Sequence, residues 1–388
     1  MKIGIITHFY GTINYGGMLQ AFALTKVINS IDADYDAEQI QYNPRETTTH
    51  NENATIRKKN TIRALYRKLR NLVFYKRKRK ILKKRKESFF DFATQYVPMS
   101  TNVYSRSNCY KIADNYDVFI TGSDQVWNPM WYDEVYRLDC IPTDKIKMSY
   151  AAGLSNGALT EDQQQIFRNT LSSYSCVSVR EKDSISKLSN LTSCDVSWVL
   201  DPTLLLSGIE WGGISASRLI NGKYIFCFFL SETDYRKEVE KYARKKGLKI
   251  ACISYLTYDS KNRESFGNIK IDMASPKEFL SLIKYAECVF TDSFHATVFS
   301  HIFKKDFFVF NRKGAVGMND RIYSLTSLFD TQNRFCDTDE KATLSYIENL
   351  APVDYSKGFP KFDAMKEKSI NYLKENLKRA EERINGNK

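Results

Sequence analysis

The chain has 388 residues, of which 43% are hydrophobic and 13% aromatic. A chain of this length is too long for one ordinary hydrophobic core, and its hydrophobic content is enough for two. We therefore expect a folded protein of two domains. Its 58 basic and 45 acidic side chains give a formal net charge of +13, but the segment 57–86 alone contains 16 basic residues and no acidic one. The rest of the chain, with 42 basic against 45 acidic residues, is slightly acidic.

Simple features argue against a membrane-spanning, secreted or disulfide-bonded protein. The longest apolar runs, such as 224–230, are too short to cross a bilayer, and the first ten residues turn polar too early for a secretory leader. The eight cysteines are scattered, with no CxxC pair and no Cys/His cluster, so neither a disulfide framework nor a metal site is indicated. We therefore expect a cytoplasmic protein.

Short apolar strands alternate with helical patterns along most of the chain, which is typical of βαβ units around parallel sheets. A first run of strands is predicted at 2–7, 39–42, 118–121, 148–151 and 177–180. A glycine-containing segment at 206–223 separates it from a second run at 224–230, 249–253, 288–291 and 307–310. We predict an N-terminal α/β domain over 1–207, a C-terminal α/β domain over 208–360, and a closing helix over 361–388 that could pack back on the first domain.

The turn after the first predicted strand reads THFYGTINYGGMLQAFAL and holds Gly11, Gly16 and Gly17 before a helix. Glycines at such a turn let the main chain approach a ligand closely. The spacing is neither GxGxxG nor a P-loop, so no standard nucleotide site is supported. The neighbouring Asn14 and Tyr15 are candidate acceptor-binding residues, and a tight structural turn is the alternative.

The basic segment 57–86 has apolar residues at helical spacing, which predicts an amphipathic basic helix. Such a helix could be a plain solvated helix, or it could lie on an anionic membrane or a lipid-linked substrate. Contact with nucleic acid is the weakest of these interpretations, and no nucleic-acid partner is expected.

The segment YDVFITGSDQVWNP, residues 116–129, ends a buried strand in small and polar residues. Ser123, Asp124, Gln125 and Asn128 would form a polar ledge and Trp127 an aromatic wall, a combination suited to the hydroxyls and the apolar face of a sugar. We predict that these residues bind an acceptor. The alternative is a helix cap formed by the aspartate and a tryptophan buried in the core.

The segment CVSVREKDS places Arg180 at the end of another strand, where its guanidinium group could clamp a carboxylate or a phosphate. A surface ion pair with Glu181 is the alternative. Further along, Arg312 and Lys313 follow a strand and Arg321 opens a helix, so more cations gather at the expected sheet edge.

The segment ECVFTDSFHATVFSH, residues 287–301, is the most informative part of the chain. A predicted strand leads to the polar residues Thr291, Asp292, Ser293 and His295, and a predicted helix follows directly. These side chains should therefore lie at the carboxyl edge of a parallel sheet, where α/β enzymes bind ligands. The helix start also offers unpaired N–H groups to an anion.

Together these motifs resemble the polysaccharide pyruvyl transferases, which use phosphoenolpyruvate to build pyruvate ketals on sugars. The resemblance runs from NYGGMLQAFAL through GSDQVWNP, SYAAG, VSVREKDS and VLDPTLLL to TDSFHATVFSHIFKK, up to about residue 330. It implies two Rossmann-like α/β domains that face each other across a cleft, as in glycosyltransferases of the GT-B type, with phosphoenolpyruvate in the cleft.

The resemblance also implies roles for single residues. His295 and Asp292 would be catalytic, and Arg180 would contact the donor. The C-terminal domain would be the donor side and the N-terminal domain the acceptor side. Where many relatives carry Arg directly after the Asp, this chain has Ser293, so another cation would have to replace it. The candidates for the replacement are Arg312, Lys313 and Arg321.

The sequence therefore predicts a pyruvyltransferase that acts on a sugar of a cell-surface polysaccharide or of its lipid-linked precursor, with phosphoenolpyruvate as co-substrate and no cofactor or metal. It could work at the inner face of the cytoplasmic membrane. One alternative is a nucleotide-sugar-dependent glycosyltransferase of the GT-B type, because one fold serves both chemistries. The other is a non-catalytic protein that binds membrane or nucleic acid. Whether His295 acts first as acid or as base stays open.

Overall fold

The computed structural model describes residues 1–44, 62–131, 133–154, 158–231, 235–253, 266–312 and 319–386, with main chain only at 62–77 and 131. Two predictions lie outside this part of the chain. They are the start of the basic segment, residues 57–61, and Lys313.

The first sheet has seven parallel strands within the described residues, in the order β3-β2-β1-β4-β5-β6-β7. The strands are β1 Lys2–Ile6, β2 Asp36–Tyr42, β3 Met99–Tyr104, β4 Val118–Thr121, β5 Ile146–Ser149, β6 Tyr174–Val179 and β7 Val196–Trp198. The helices between them are α1 Tyr15–Asn29, α2 Ile62–Tyr96, α3 Glu161–Leu171 and α4 Ser184–Leu188.

The second sheet has six parallel strands in the described ranges, in the order β10-β9-β8-β11-β12-β13. The strands are β8 Tyr224–Phe228, β9 Lys249–Cys252, β10 Ile269–Lys270, β11 Cys288–Thr291, β12 Asp306–Phe310 and β13 Phe335–Cys336. The helices are α5 Gly208–Ile214, α6 Arg236–Lys246, α7 Pro276–Lys284, α8 Phe294–Ile302, α9 Asp320–Leu328, α10 Leu344–Asn349 and α11 Phe359–Gly386.

The central strands of both sheets are apolar and buried along their whole length. Every residue of β4, β8 and β11 is buried, as expected for parallel strands with helices on both faces. The predicted α/β class with two parallel sheets is confirmed. The predicted domain boundary at 207/208 lies between the last strand of the first sheet and the first strand of the second.

Two long helices tie the domains together. The closing helix α11 lies against the first domain, where Leu200 N–H donates to Ser369 Oγ (2.9 Å) and Tyr372 O–H donates to Ser149 O (3.0 Å). Helix α2 belongs to the first domain, yet the guanidinium of Arg85 reaches the second and donates from Nε to Asp272 O (2.8 Å). None of the helices in the described part of the chain combines the length and the apolar content that a bilayer span requires.

The start of α1 forms a further contact between the domains. The phenol of Tyr15 stacks on Phe279 of α7, with ring centroids 4.5 Å apart, and its O–H donates to Ala274 O (2.7 Å). The carboxyl edge of the first sheet therefore faces that of the second. The loops that carry the predicted site residues of both domains meet in this region.

Candidate active site

His295 stands at the start of α8, where the sequence predicts it. Strand β11 ends at Thr291, whose Oγ1 accepts from Ser293 N–H (3.0 Å), and Ser293 Oγ in turn caps the helix by accepting from Ala296 N–H (3.5 Å). These bonds fix the turn between strand and helix. The imidazole of His295 is consequently held at the domain interface, where 9% of it is exposed.

Asp201 of the first domain faces this imidazole. Its Oδ2 lies 3.5 Å from His295 Nε2, and the carboxylate also accepts from Thr203 N–H (3.0 Å), Thr203 Oγ1 (2.7 Å) and Ser123 Oγ (3.2 Å). Burial alone would raise the pKa of Asp201, but the neighbouring imidazole of His295, the guanidinium of Arg180 and the hydroxyl of Thr203 hold it well below its usual value. Asp201 is therefore ionised and favours a proton on Nε2 of His295.

Arg180 connects this pair to two further carboxylates. Its Nη1 donates to Asp201 Oδ2 (3.1 Å) and lies 3.5 Å from Asp124 Oδ1, while its Nε donates to Glu181 Oε1 (3.0 Å). Burial opposes the charge of Arg180, but the three carboxylates outweigh it and raise its pKa. Its Nη2 has no hydrogen-bond partner among the described residues.

Arg321 approaches the same cluster from α9 of the second domain. The guanidinium carbons of Arg180 and Arg321 lie 4.9 and 5.6 Å from the ring centroid of Phe294. Burial, reinforced by Arg180, lowers the pKa of Arg321 to about 10, against the opposing effect of Asp124. Both guanidinium groups therefore lie near the ring of Phe294, the residue that precedes His295 in the sequence.

Asp124 closes the network on the side of the first domain. Burial would raise the pKa of Asp124, but Arg180, His295 and His8 together lower it. Its Oδ2 accepts from Asn14 Nδ2 (3.3 Å), which links the network to the start of α1.

A cavity of about 460 Å³ lies between the domains next to His295. Its walls come from the first glycine-containing turn, from α2 and from the second domain. They are formed by Gly11, Thr12, Ile13, Asn14, Tyr15, Gly16, Arg85, Lys86, Phe228, Leu230, Phe279, Ser293 and His295. The cavity is large enough for a small phosphorylated carboxylate, and His295 is a group in its wall that can transfer a proton.

A comparison with protein families bears on this arrangement. The model of the family "Polysaccharide pyruvyl transferase" matches residues 14–314, which include all of α1, the loop after β4, Arg180, Asp201 and His295. The chain belongs to this family. No curated protein matches the chain in sequence.

Solved structures show how the pyruvyl transferase chain is arranged in space. It superposes on a UDP-GlcNAc 2-epimerase from Methanocaldococcus jannaschii with a TM-score of 0.52 at 12% identity, covering 94% of this chain and 99% of that one. It superposes on a UDP-N-acetylglucosamine 2-epimerase from Rickettsia bellii with a TM-score of 0.53 at 11% identity, covering 98% of this chain and 95% of that one. With a glycosyltransferase from Rickettsia africae the TM-score is 0.51 at 10% identity, and the superposition covers 98% of each chain. At these identities the likeness concerns the fold alone, and it confirms the predicted GT-B-like pair of Rossmann-like domains.

Within this pyruvyl transferase, Asp292 lies behind the cavity wall and does not line the cavity. Its side chain is fully buried and accepts hydrogen bonds from Leu230 N–H (2.6 Å), Ser231 N–H (2.8 Å) and Ser231 Oγ. Arg312, a predicted donor-binding residue, donates to the main-chain oxygen of Asp292 (3.3 Å). Asp292 therefore holds the loop after β8 against the cavity, and its predicted catalytic role stays a prediction.

The predicted sugar-binding ledge is not a wall of the cavity either. Trp127 is buried in the first domain against Phe167 and Tyr174, with both centroid distances at 5.9 Å. Asn128 Nδ2 donates to Gln125 Oε1 (3.2 Å), so the two amides hold each other. Since the loop folds back on its own domain, the expectation of an exposed aromatic wall is corrected to a core tryptophan.

Other residues that were predicted to bind the acceptor lie close to the charge network or to the cavity. Ser123 and Asp124 belong to the charge network, and Asn14 and Tyr15 line the cavity together with Ser293. Residues predicted for the acceptor side and for the donor side therefore share one cavity.

Three residues in or beside the site were not predicted individually from the sequence. Asp201 follows a strand in the motif VLDPTLLL, and Arg85 and Lys86 end the basic segment. A strand-end aspartate before proline could have been proposed as a partner for a histidine. The burial of Arg85, which is 2% exposed, has no sequence signal because the run of cations around it is typical of a solvated helix face.

Proposed function

We propose that this family member is a pyruvyltransferase that uses phosphoenolpyruvate to form a pyruvate ketal on a sugar of a cell-surface polysaccharide or of its lipid-linked precursor. The observation that carries the proposal is the position of His295 in the wall of the 460 Å³ cavity, where it pairs with Asp201 across the domain interface. Phosphoenolpyruvate serves as co-substrate in this proposal, and no further cofactor takes part.

The reaction needs one group that moves protons beside the enolpyruvyl carbon atoms. A proton is added to the methylene carbon, a sugar hydroxyl attacks the cationic C2, phosphate leaves, and a second hydroxyl closes the ketal. One hydroxyl proton ends on the new methyl group and the other on phosphate. With its Nε2 proton directed at Asp201, neutral His295 has Nδ1 as its acceptor, and the same atom returns the proton when the ring is charged.

The predicted contacts of Arg180 and Arg321 with the donor remain part of the proposal. Both guanidinium groups lie at the ring of Phe294, and Arg180 Nη2 and Arg321 Nε have no hydrogen-bond partner in the described part of the chain. Such groups would stabilise the negative charge of departing phosphate in a site from which water is excluded.

An acceptor screen tests the proposed function. Phosphoenolpyruvate and a panel of glycans with neighbouring hydroxyl groups should together release inorganic phosphate, and mass spectrometry should find a glycan enlarged by a carboxyethylidene group. Neither substrate alone should release phosphate at a comparable rate. Transfer of a sugar from a uridine nucleotide sugar, without any turnover of phosphoenolpyruvate, would instead establish a glycosyltransferase.

We also propose that α2 holds the protein at the inner face of the cytoplasmic membrane, where a lipid-linked acceptor would be presented. Of its cations, Arg79, Lys80 and Lys83 are exposed, while Lys78 and Arg85 are buried. The exposed cations are available to anionic lipid, each contributing about 1 kcal/mol near the membrane surface.

Vesicle binding should follow the electrostatics of this surface. Association with phosphatidylglycerol vesicles should weaken as salt shortens the Debye length from about 10 Å at 0.1 M to about 3 Å at 1 M. The triple variant Arg79→Glu, Lys80→Glu, Lys83→Glu should lose vesicle binding in sedimentation but keep its turnover on a short soluble acceptor. If the wild-type protein does not bind anionic vesicles even at low salt, α2 is a solvated helix and the membrane proposal fails.

A further inference from the structure

A second cavity, of about 720 Å³, shares none of its described lining residues with the cavity beside His295. Its walls come from the loop after β6 and the end of β7 in the first domain, from α9 in the second domain, and from the first turns of α11. Most of the described residues that line it are exposed, so the cavity is open to solvent. It therefore has room and access for a ligand that extends beyond the protein, such as a polymer.

Trp198 supplies an aromatic surface in this second cavity. It is the last residue of β7 and therefore lies at the carboxyl edge of the first sheet, where α/β proteins bind ligands. Trp127 and Trp211 are buried in hydrophobic cores, whereas Trp198 is partly exposed. An indole ring in the wall of an open cavity can pack against the apolar face of a sugar ring.

Polar side chains surround the indole. Lys182 Nζ lies 5.9 Å from the centroid of the Trp198 ring, and Ser324 and Ser327 line the cavity from α9. Lys182 is exposed, and its long flexible side chain can move aside from the ring and donate to a hydroxyl group of a sugar. The cavity thus combines an apolar surface with hydrogen-bonding groups, which is the combination that a carbohydrate needs.

The charges in the wall of this cavity are nearly balanced. Three lysines and two aspartates line it in the described part of the chain, and one of the lysines, Lys361, already pairs with Asp330 (2.6 Å). A multiply charged anion would therefore gain little from the net charge of the wall. This balance favours a ligand that binds through hydroxyl groups.

A narrow gap connects the second cavity to the charge network. The gap has a volume of about 20 Å³, and Trp198, Ser324 and Leu328 line both the gap and the larger cavity. Its other walls include Arg180 and Arg321. Trp198 Nε1 also donates to the main-chain oxygen of Arg180 (3.0 Å). A sugar on the ring of Trp198 would therefore lie beside the two residues whose guanidinium groups are proposed to contact the donor.

We propose that the second cavity binds the glycan acceptor, with a pyranose ring stacked on Trp198 and its hydroxyl groups directed through the gap towards Arg180 and Arg321. The inference rests on the proposed function, in which these two arginines contact phosphoenolpyruvate. The small donor enters the cavity beside His295, and the longer acceptor enters the more open one. Trp198 then takes the part of the aromatic wall that the sequence predicted at Trp127.

Saturation-transfer NMR on the full chain tests the proposal, with methyl glycosides of hexoses, N-acetylhexosamines and hexuronic acids as probes. At least one glycoside should bind the wild type. Trp198→Leu should raise its dissociation constant about tenfold, whereas Trp198→Phe should raise it less than about threefold. Both variants lose the indole N–H that donates to Arg180, so the difference between them reports on the aromatic ring. Calorimetry with phosphoenolpyruvate shows whether Arg180 has kept its place.

A larger side chain on α11 should close the cavity without touching the charge network. Ala364 is exposed and lines the cavity, so Ala364→Trp should remove the binding of the glycoside. Glu367→Trp is the matched control, since Glu367 is exposed on the same helix and does not line the cavity. Both variants should keep the melting temperature and the affinity for phosphoenolpyruvate of the wild type.

The outcomes separate this inference from the function beneath it. If the wild type binds a glycoside at Trp198 but neither binds nor turns over phosphoenolpyruvate, the proposed function falls and the sugar site is supported on its own. If phosphoenolpyruvate binds, and Trp198→Leu and Ala364→Trp bind the glycoside as tightly as Trp198→Phe and Glu367→Trp do, the inference is overturned while the function stands. Failure of every glycoside to bind the wild type in the presence of phosphoenolpyruvate would overturn it as well.

Discussion

His295→Ala should lower turnover at least a hundredfold while the protein stays folded. General acid–base catalysis supplies about 10²–10⁴ in rate, and His295 is the group in the cavity wall best suited to exchange protons with a substrate. The measurement is phosphate release at saturating phosphoenolpyruvate and acceptor, beside thermal unfolding and calorimetry with phosphoenolpyruvate. Donor binding should persist, because the guanidinium groups of Arg180 and Arg321 are unchanged.

His8→Ala is the control for this variant. His8 also follows a strand of the first sheet, but its ring packs edge-on against Tyr136, with centroids 4.1 Å apart, and it does not line the cavity. Its removal should cost far less turnover than removal of His295. Near-normal phosphate release by His295→Ala would end the acid–base assignment, whereas a large loss in both variants would indicate a general effect on the interface.

The strands that position the site could be predicted because burial leaves a continuous signal. Strands β4, β8 and β11 are apolar at every position, and the switch from apolar to polar residues marks their carboxyl ends. The short strands β7 and β13 went unpredicted, since three residues or fewer carry no period. This gap matters because Asp201 follows β7.

Pairings between domains could not be read from the chain. Asp201 and His295 are 94 positions apart in the sequence, with strands β8 to β11 between them, and only the packing of the two domains brings Asp201 Oδ2 to 3.5 Å from His295 Nε2. The surroundings of Trp127 could not be predicted either, although they lie within one domain. An aromatic ring after a strand suits a sugar platform and a core equally well, and the choice depends on whether the loop folds back on its own domain.

Gly16→Ala should be nearly as damaging as loss of the histidine, although it adds a single methyl group. A Cβ atom at Gly16 would lie 1.9 Å from His295 Nδ1 and 2.3 Å from Cε1. The imidazole cannot simply retreat, because Asp201 stands on its Nε2 side. Either the ring or the start of α1 must move, and a shift of about 1 Å at a reacting group can cost about a hundredfold in rate. Phosphate release and the melting temperature measure the two effects separately.

A second glycine and a double variant make this prediction specific to His295. At Gly213 in α5 an added Cβ meets nothing within 4 Å, so Gly213→Ala should leave turnover unchanged and stabilise the helix by about 0.5–1 kcal/mol. If Gly16→Ala acts by displacing the imidazole, it should cost little further turnover in a chain that already carries His295→Ala. Independent losses that multiply in the double variant would show instead that Gly16→Ala acts through the start of α1 and not through the position of the histidine.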